Sequence, residues 1–221
     1  MMKKLLLVLT AAAFAFSAQA QWRAGVSAGV SHNWYSIKTH YQTDFNYEGL
    51  SAPSVALVGQ YDFKDWFGVR AELEYLRKDH KFFRTSVYDE THYKVRNTYL
   101  QLPVMAVFSF GGEKIKGFTH LGAYAGYWAK STLKGSLLNP SDEEAIAVDE
   151  SYSFNSEKDR RLDLGLLAGV GMEYRFSPKW AVEFEARLNY SLVSTTKQYM
   201  ALGDYRYNTT ASFRVGLQYI F

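Results

Sequence analysis

The sequence predicts an all-β protein, an eight-stranded antiparallel up-and-down transmembrane β-barrel, and three observations support this prediction. Segments of alternating apolar and polar residues recur along the chain, long polar connections alternate with short turns, and aromatic residues gather beside the short turns. Alternation with a period of two indicates an extended strand with one apolar and one polar face. Each predicted strand has at least the ~9 to 11 residues that a tilted strand needs to cross a bilayer.

The first twenty residues differ from the rest of the chain and precede the first strand. Lys3 and Lys4 come before an apolar run over residues 5–16, and Ala18 and Ala20 form an A-x-A cleavage site. This arrangement predicts a signal peptide over residues 1–20 and a single outer-membrane barrel domain over residues 21–221. The apolar run is too short for a transmembrane helix, which needs about 20 residues.

The composition of the chain agrees with β-structure and excludes several functional classes. The chain holds 17 Tyr, 15 Phe and 5 Trp with 16 Gly and only 4 Pro. This composition favours strands with one apolar and one polar face. It has no Cys, which excludes disulfides and thiolate metal sites. Removal of Lys3 and Lys4 with the signal peptide lowers the formal net charge from +3 to +1, so no basic surface for nucleic acid is expected.

The strands follow in order from the alternation. It is clearest in RLDLGLLAGVGMEYRF at 161–176 and WAVEFEARLNYSL at 180–192, which a three-residue turn joins into a hairpin. The same pattern predicts the six other strands at 23–35, 53–63, 66–79, 92–110, 117–130 and 207–221.

The connections between these strands predict the orientation in the membrane. Four are long and polar, at 36–52, 80–91, 131–160 and 193–206, and three are short, at 64–65, 111–116 and 177–179. Outer-membrane barrels have short periplasmic turns and long external loops, so both termini are expected on the periplasmic side. The aromatic residues beside the short turns predict a periplasmic girdle, made of Tyr61, Phe63, Trp66, Phe67, Phe108, Phe110, Phe118, Tyr174, Phe176, Trp180, Tyr219 and Phe221.

Ten charged residues share the polar faces of the predicted strands. Six acids and four arginines make up this set: Arg70, Glu72, Glu74, Asp163, Glu173, Arg175, Glu183, Glu185, Arg187 and Arg214. An eight-stranded barrel has an interior just wide enough for side chains, and buried charges must pair. We therefore expect a structural charge network that fills the barrel, in preference to a conduction path or a proton relay.

No catalytic, cofactor-binding or metal-binding site is predicted. A nucleophile would need a histidine within hydrogen-bond reach and an orienting acid. The five histidines do not suggest such a set: His32 follows Ser31 on the opposite face, His120 is expected near the periplasmic end, and the others, His40, His80 and His92, are expected to be solvated in or beside outer loops.

One predicted loop, 131–160, is rich in acids: Asp142, Glu143, Glu144, Asp149, Glu150, Glu157 and Asp159. These residues offer a site for divalent cations that bridge lipopolysaccharide. A solvated acidic loop is favoured instead, because the D-x-D-x-D-G spacing of a calcium loop is missing from it.

Several segments resemble a known family. They are YLQLPVMAVFSF at 99–110, HLGAYAGY at 120–127, DLGLLAGVGMEYRF at 163–176 and the last strand, which ends on Phe221. In these pieces the mature chain resembles the PorT-like outer-membrane β-barrel proteins of Bacteroidota. The resemblance implies a barrel fold and a location in the bacterial outer membrane, and it implies no particular activity.

Two functional classes remain open, with a third below them. The first is a non-enzymatic barrel with a structural or adhesive role, whose loops bind an extracellular ligand; Tyr41, Phe45 and Tyr47 in the first long loop favour it. The second is a narrow gated channel for small solutes, and the third is a lipid-modifying enzyme. The expected partners are outer-membrane lipid, lipopolysaccharide and the barrel assembly machinery, and the expected state is a monomer.

Overall fold

The computed structural model describes residues 21–38, 44–85, 90–138, 144–197 and 205–221. The predicted signal peptide over residues 1–20 lies outside the described residues, as do His40, Tyr41, Asp142 and Glu143. The described part is all-β with antiparallel strands, which confirms this part of the predicted fold class. In the described ranges, no helix has the length and apolar character needed to cross a membrane.

Ten strands make up the sheet. In chain order they are β1 (Gln21–Lys38), β2 (Phe45–Lys64), β3 (Phe67–Arg77), β4 (His80–Arg84), β5 (His92–Gly111), β6 (Ile115–Leu138), β7 (Ala145–Ser151), β8 (Leu162–Ser177), β9 (Trp180–Ser191) and β10 (Tyr205–Ile220).

Eight of these strands fall on the eight predicted ones, whereas β4 and β7 lie in segments predicted as loops. Two of their partners extend past the predicted strand ends: β2 begins at residue 45 and β6 continues to residue 138. The extended edges present backbone groups that need hydrogen bonds. Strand β4 fills the space between β2 and β5, and β7 folds back on the end of β6. The long connections are therefore shorter than predicted.

Each of the eight longer strands pairs along both of its edges. Strand β1 pairs with β2 on one side and with β10 on the other, so that Val30 lies opposite both Pro53 and Phe213. The remaining pairs are β2 with β3, β3 with β5, β5 with β6, β6 with β8, β8 with β9 and β9 with β10.

The two faces of the sheet have the opposite burial to those of a water-soluble protein. In β3, the side chains of Arg70 and Glu72 are almost fully buried, while the neighbouring Leu73 is 46% exposed. The exposed face of the other long strands is likewise largely apolar, and their buried face mixes polar residues with apolar ones such as Tyr99 and Met105. An apolar outer surface with polar residues inside is the arrangement of a protein surrounded by lipid.

Aromatic rings form a band near the short turns, with Phe63 stacked on Phe67 and Trp66 stacked on Phe108. The prediction that Phe118 belongs to this band is wrong. Phe118 is buried, and the guanidinium of Arg70 lies 5.2 Å from its ring centre. Distance from a turn does not determine which face a strand residue occupies, and Phe118 has the parity of the buried face.

Glycines in β8 make room for large side chains of β6 on the buried face. Gly169 lies opposite His120, and Gly171 lies opposite Phe118. A Cβ atom on either glycine would collide with the opposing ring. The glycine-rich sequence of β8 is therefore complementary to the aromatic residues of β6.

Candidate functional site

The buried face of the sheet carries a set of paired charges, here called the polar cluster. It consists of seven acids and six cations: Arg23, Asp62, Arg70, Glu72, Glu74, Lys78, Asp163, Glu173, Arg175, Glu183, Glu185, Arg187 and Arg214. All of them except Arg175 are buried.

Glu72 lies at the centre of the polar cluster. Arg187 donates two hydrogen bonds to its carboxylate, at 2.8 and 2.7 Å, in the bidentate geometry that gives the strongest ion pairs. Nη2 of Arg214 donates to the same carboxylate at 3.0 Å and to Oε1 of Glu185 at 2.9 Å. Three strands, β3, β9 and β10, are thus tied through one carboxylate and its partners.

Arg70 links β3 to β9 within the polar cluster. Its Nη2 donates to Glu183 at 2.7 Å, its Nη1 donates to Glu185 at 3.2 Å, and its Nε donates to the side-chain oxygen of Gln60 at 2.7 Å. Each nitrogen of the guanidinium therefore has an acceptor, which offsets the cost of removing the charge from water.

Further ion pairs lie at the end of the cluster near the short turns. Arg23 contacts Asp62 at 2.6 Å and also pairs with Glu173. Nε of Arg175 lies 2.6 Å from Glu173, and the side chain of Arg175 is 21% exposed. Arg175 therefore stands at the entrance of the cluster rather than inside it.

The opposite end of the cluster is formed by Lys78. Its Nζ donates to Asp163 at 2.6 Å and lies 4.9 Å from the ring centres of both Tyr99 and Tyr124. A fully buried ammonium is accommodated here because a carboxylate and two aromatic faces surround it.

The structure brings nine of the ten predicted charged residues together in the buried interior and leaves Arg175 at its edge. Sequence reasoning missed four members or neighbours of this cluster, namely Arg23, Asp62, Lys78 and His120. Strand parity would have found Asp62, which follows Gln60 by two positions, and Lys78, which follows Glu74 by four.

The predicted place of His120 needs correction. It lies among the charges, with Nε2 at 3.8 Å from Glu185, and is completely buried. Its strand begins at residue 115, so five residues carry it inward from the turn. Neither ring nitrogen has a hydrogen-bond partner among the described residues.

Little space remains inside the polar cluster. The cavity bounded by Arg70, Glu72, Glu183, Glu185 and Arg214 measures about 10 Å³, which is near the minimum that holds a single water molecule. At the level of these residues the side chains themselves fill the interior.

Neither the acidic residues nor the histidines of the described ranges assemble into a metal site, since no group of three His, Asp or Glu there could hold an ion. Within the predicted acidic loop, Asp149 pairs with Lys134 on the surface at 2.8 Å. Asp159 instead is buried and accepts hydrogen bonds from the Tyr152 hydroxyl and the Asn155 backbone. His32 lies 3.0 Å from Ser51 across two neighbouring strands.

A second site, here called the outer pocket, lies toward the loop end of the strands beyond Lys78. It is a cavity of about 140 Å³ whose lining includes Tyr35, His80, Asn97, Tyr99, Trp128, Tyr152, Asp159 and Arg206. The sequence did not indicate this pocket, because it forms where β4 and the segment after β7 meet strands that extend beyond their predicted ends.

His80 shows the difference between prediction and structure in the outer pocket. It was expected to be solvated, but it is 5% exposed and its ring is stacked on Tyr35, with centres 4.1 Å apart. The reason is that residue 80 begins β4 instead of a loop. Burial, reinforced by the positive charge of Arg206, lowers the pKa of His80 to about 3, so its imidazole is neutral.

Aromatic rings form one wall of the outer pocket. The ring of Trp128 is parallel to that of Tyr99 at 6.0 Å and to that of Tyr152 at 6.3 Å. Burial raises the pKa of Tyr152 to about 12, and the nearby Asp159 carboxylate, which accepts the hydroxyl hydrogen bond, adds to this rise. The wall is therefore uncharged.

Comparison with known proteins gives a family and a fold. A family model described as outer membrane protein beta-barrel domain matches residues 17–197, whereas no curated protein matches the chain. The chain is similar in structure to the outer membrane protein OprG from Pseudomonas aeruginosa, with a TM-score of 0.52, 15% identity, and coverage of 91% of this chain and 95% of OprG.

Two other solved structures are similar over comparable lengths. The outer membrane protease OmpT from Escherichia coli has a TM-score of 0.50 and 9% identity, covering 91% of this chain and 97% of OmpT. The attachment invasion locus protein Ail of Yersinia pestis, in complex with the heparin analogue sucrose octasulfate, has a TM-score of 0.43 and 15% identity, covering 91% and 99% of the two chains.

Proposed function

The chain belongs to the outer membrane protein beta-barrel domain family, and from this premise we propose that it is a plugged, non-enzymatic outer-membrane barrel that acts by binding at its outer end. The family implies the bacterial outer membrane. Within the family we place the chain among the PorT-like proteins of Bacteroidota, on the sequence pieces that resemble them, and we assign residues 1–20 to a cleaved signal peptide.

The proposal includes a closed barrel of eight spanning strands, with β4 and β7 as extensions outside the membrane. The pairing of β1 with both β2 and β10 supports closure. The apolar exposed face supports a lipid environment. A lipid environment in turn favours closure, because a strand edge left open in the bilayer would carry unsatisfied backbone groups. On this proposal the short turns and both termini are periplasmic.

The observation that carries the proposed plug is the set of hydrogen bonds around Glu72. Two arginines from different strands share its carboxylate, and the cavity beside it measures about 10 Å³. A solute would have to break several buried ion pairs to pass, and each break would leave a charge without a partner. The cluster therefore favours a structural plug over the narrow gated channel.

Apolar side chains exposed beyond the proposed membrane span support binding at the outer end. Leu137 and Ile146 lie opposite each other on the paired ends of β6 and β7 and are 38% and 52% exposed, and Phe45 is 45% exposed at the start of β2. Large apolar side chains exposed outside a membrane favour an interaction site. We propose an extracellular ligand there, lipopolysaccharide around the strands, insertion by the barrel assembly machinery, and a monomeric state.

Planar-bilayer recordings test the plug. The wild-type protein, shown to be folded by the different gel migration of heated and unheated samples, should give no stable conductance steps. A channel-forming outer-membrane protein recorded in the same bilayers provides the positive control. A steady conductance from the folded wild type would overturn the plugged barrel in favour of the channel.

A further inference from the structure

Three buried polar atoms in the wall of the outer pocket have no hydrogen-bond partner among the described residues. They are Nδ1 of His80, Oδ1 of Asn97 and Nε1 of Trp128, from side chains that are 5%, 3% and 9% exposed. Buried polar groups in native proteins are rarely left unpaired. Their convergence on one cavity therefore indicates a bound molecule that completes them.

We propose that the outer pocket binds a single uncharged heteroaromatic ring that carries both a hydrogen-bond donor and a hydrogen-bond acceptor on its edge. This inference rests on the proposed function because it takes the loop end of the strands to face outside the cell, but it concerns a different site from the exposed side chains of Phe45, Leu137 and Ile146. The outer pocket is also separate from the polar cluster, which ends at Lys78 and Asp163.

The size of the pocket favours one ring. Its volume is about 140 Å³, and an apolar cavity of roughly 150 Å³ is known to accept benzene. A ligand with two fused rings and substituents would need more space than this.

The chemistry of the wall favours an aromatic ring over a sugar. Trp128, Tyr99 and Tyr152 offer parallel rings, against which a planar ring packs with favourable edge and face contacts. A pyranose has a hydroxyl on most of its carbons. Other polar side chains of the lining are already engaged, since Asp159 accepts from Tyr152 and Asn155, and Thr195 is bonded to Tyr35. Most of the hydroxyls would therefore find no free partner, which would oppose burial.

The three unpaired atoms also determine the polarity of the ligand. The indole nitrogen of Trp128 only donates, Oδ1 of Asn97 only accepts, and a neutral imidazole such as that of His80 can do either. The ligand must therefore present an acceptor to Trp128 and a donor to Asn97. The lining holds one cation, Arg206, and one carboxylate, Asp159, so the pocket has no excess charge to favour a charged ligand over an uncharged one.

Equilibrium dialysis with radiolabelled uracil tests the proposal on the folded protein in detergent micelles. Uracil is an uncharged six-membered ring with donors and acceptors on its edge. We expect saturable binding of one molecule per chain. Asn97→Leu removes the acceptor, and Trp128→Phe keeps a ring while removing the donor; each should weaken binding about tenfold or more.

Asn189→Leu is the matched control. Asn189 is buried to the same extent as Asn97 and also has an unpartnered Oδ1, but it lies in β9 away from the outer pocket. It should leave uracil binding unchanged. If Asn97→Leu does not fold, Trp128→Phe alone decides the question.

Absence of saturable uracil binding to the folded wild type would overturn the proposal, as would equal binding by wild type and Trp128→Phe. Displacement of uracil by glucose at lower concentration than by unlabelled uracil would also overturn it, in favour of a sugar site. None of these outcomes bears on conductance, so a failed ligand proposal and a failed plug can be told apart.

Discussion

Arg187 contacts two carboxylates of the polar cluster, because its guanidinium binds Glu72 through two nitrogens and lies 2.7 Å from Glu185 through the third. Burial of such a pair has a large desolvation cost, and replacing both partners with apolar residues often leaves the stability of a protein unchanged. Removal of one partner is different, since the carboxylates that remain keep their charge without its counter-charge. Removing one arginine should therefore destabilise the protein by more than the ion pair as a whole stabilises it.

Arg187→Ala should lower the free energy of unfolding by about 3 to 5 kcal/mol, because it leaves buried carboxylates unpaired. Urea unfolding in detergent micelles measures this change. Lys134→Ala serves as the control, because Lys134 pairs with Asp149 on the surface, where both side chains are mostly exposed, and its loss should have little effect. Equally small changes in the two variants would indicate a water-filled interior that screens the charges.

His80 predicts a dependence of stability on pH that originates in the outer pocket. Its pKa in the folded protein is about 3, against an ordinary value near 6.5. The unfolded chain therefore takes up a proton first as the pH falls. The stabilisation from the neutral imidazole is complete above about pH 6.5 and is lost progressively as the pH falls toward 3.

Unfolding free energies of wild type and His80→Phe, measured from pH 7 to pH 4, check this prediction. The wild type should lose more stability than His80→Phe over this range, because the variant has no imidazole to protonate. His92→Phe, at an exposed position on β5, should follow the wild-type curve. Parallel curves for wild type and His80→Phe would show that residue 80 is not buried as a neutral histidine.

At the scale of the strands, β6 and β8 fit together by complementary size. The large side chains of Phe118, His120 and Tyr124 occupy the buried face of β6, and glycines of β8 lie opposite them. The strand pair can therefore keep bulky groups inside a narrow interior without displacing the backbone.

Gly169→Ala should destabilise the protein by about 1 to 3 kcal/mol, the usual cost of overpacking, because the added methyl group would collide with the His120 ring and the backbone of Ala186. Gly59→Ala is the matched control, since its Cβ would meet only the Ala71 oxygen at 3.9 Å. That control should be neutral or slightly stabilising. Similar unfolding midpoints for both variants in urea would contradict the fit between β6 and β8.

The eight long strands could be predicted from the sequence, because apolar and polar residues alternate strongly in a strand that has an apolar exposed face and a charged buried face. The same alternation assigned Glu72, Arg187 and Arg214 to the buried face. It could not predict β4 and β7, since these form only because the edges of neighbouring strands remain available. The outer pocket was missed for the same reason, as His80 is buried by contacts between distant segments.

At the scale of the whole molecule, the pairing between the first and last strands determines whether the polar cluster is enclosed or exposed to water. In the proposed closed barrel, the pairing of β1 with β10 encloses the charged face and shields the ion pairs across it from water. Without that pairing the same charges would line an open sheet. Sequence alternation cannot distinguish these cases, because it defines two faces of each strand but not which strands meet across a distance of some 190 residues.

The most direct test of the closed, plugged barrel is a disulfide between β1 and β10. The chain has no cysteine of its own, so Val30→Cys with Phe213→Cys introduces a single pair at positions that lie opposite each other. Opposed residues of paired strands have Cα atoms about 4.5 to 5.5 Å apart, within the range for a disulfide. Val26→Cys with Leu57→Cys is the positive control, across β1 and β2.

Val30→Cys with Ala186→Cys is the negative control, since β9 lies one strand beyond β10 and the separation is about 9.5 Å. After mild oxidation of membranes, we expect the β1–β10 and β1–β2 pairs to cross-link and to change the migration of the boiled chain until reductant is added, while the β1–β9 pair does not. Cross-linking of the β1–β2 pair without the β1–β10 pair would contradict closure, and with it the enclosed polar cluster.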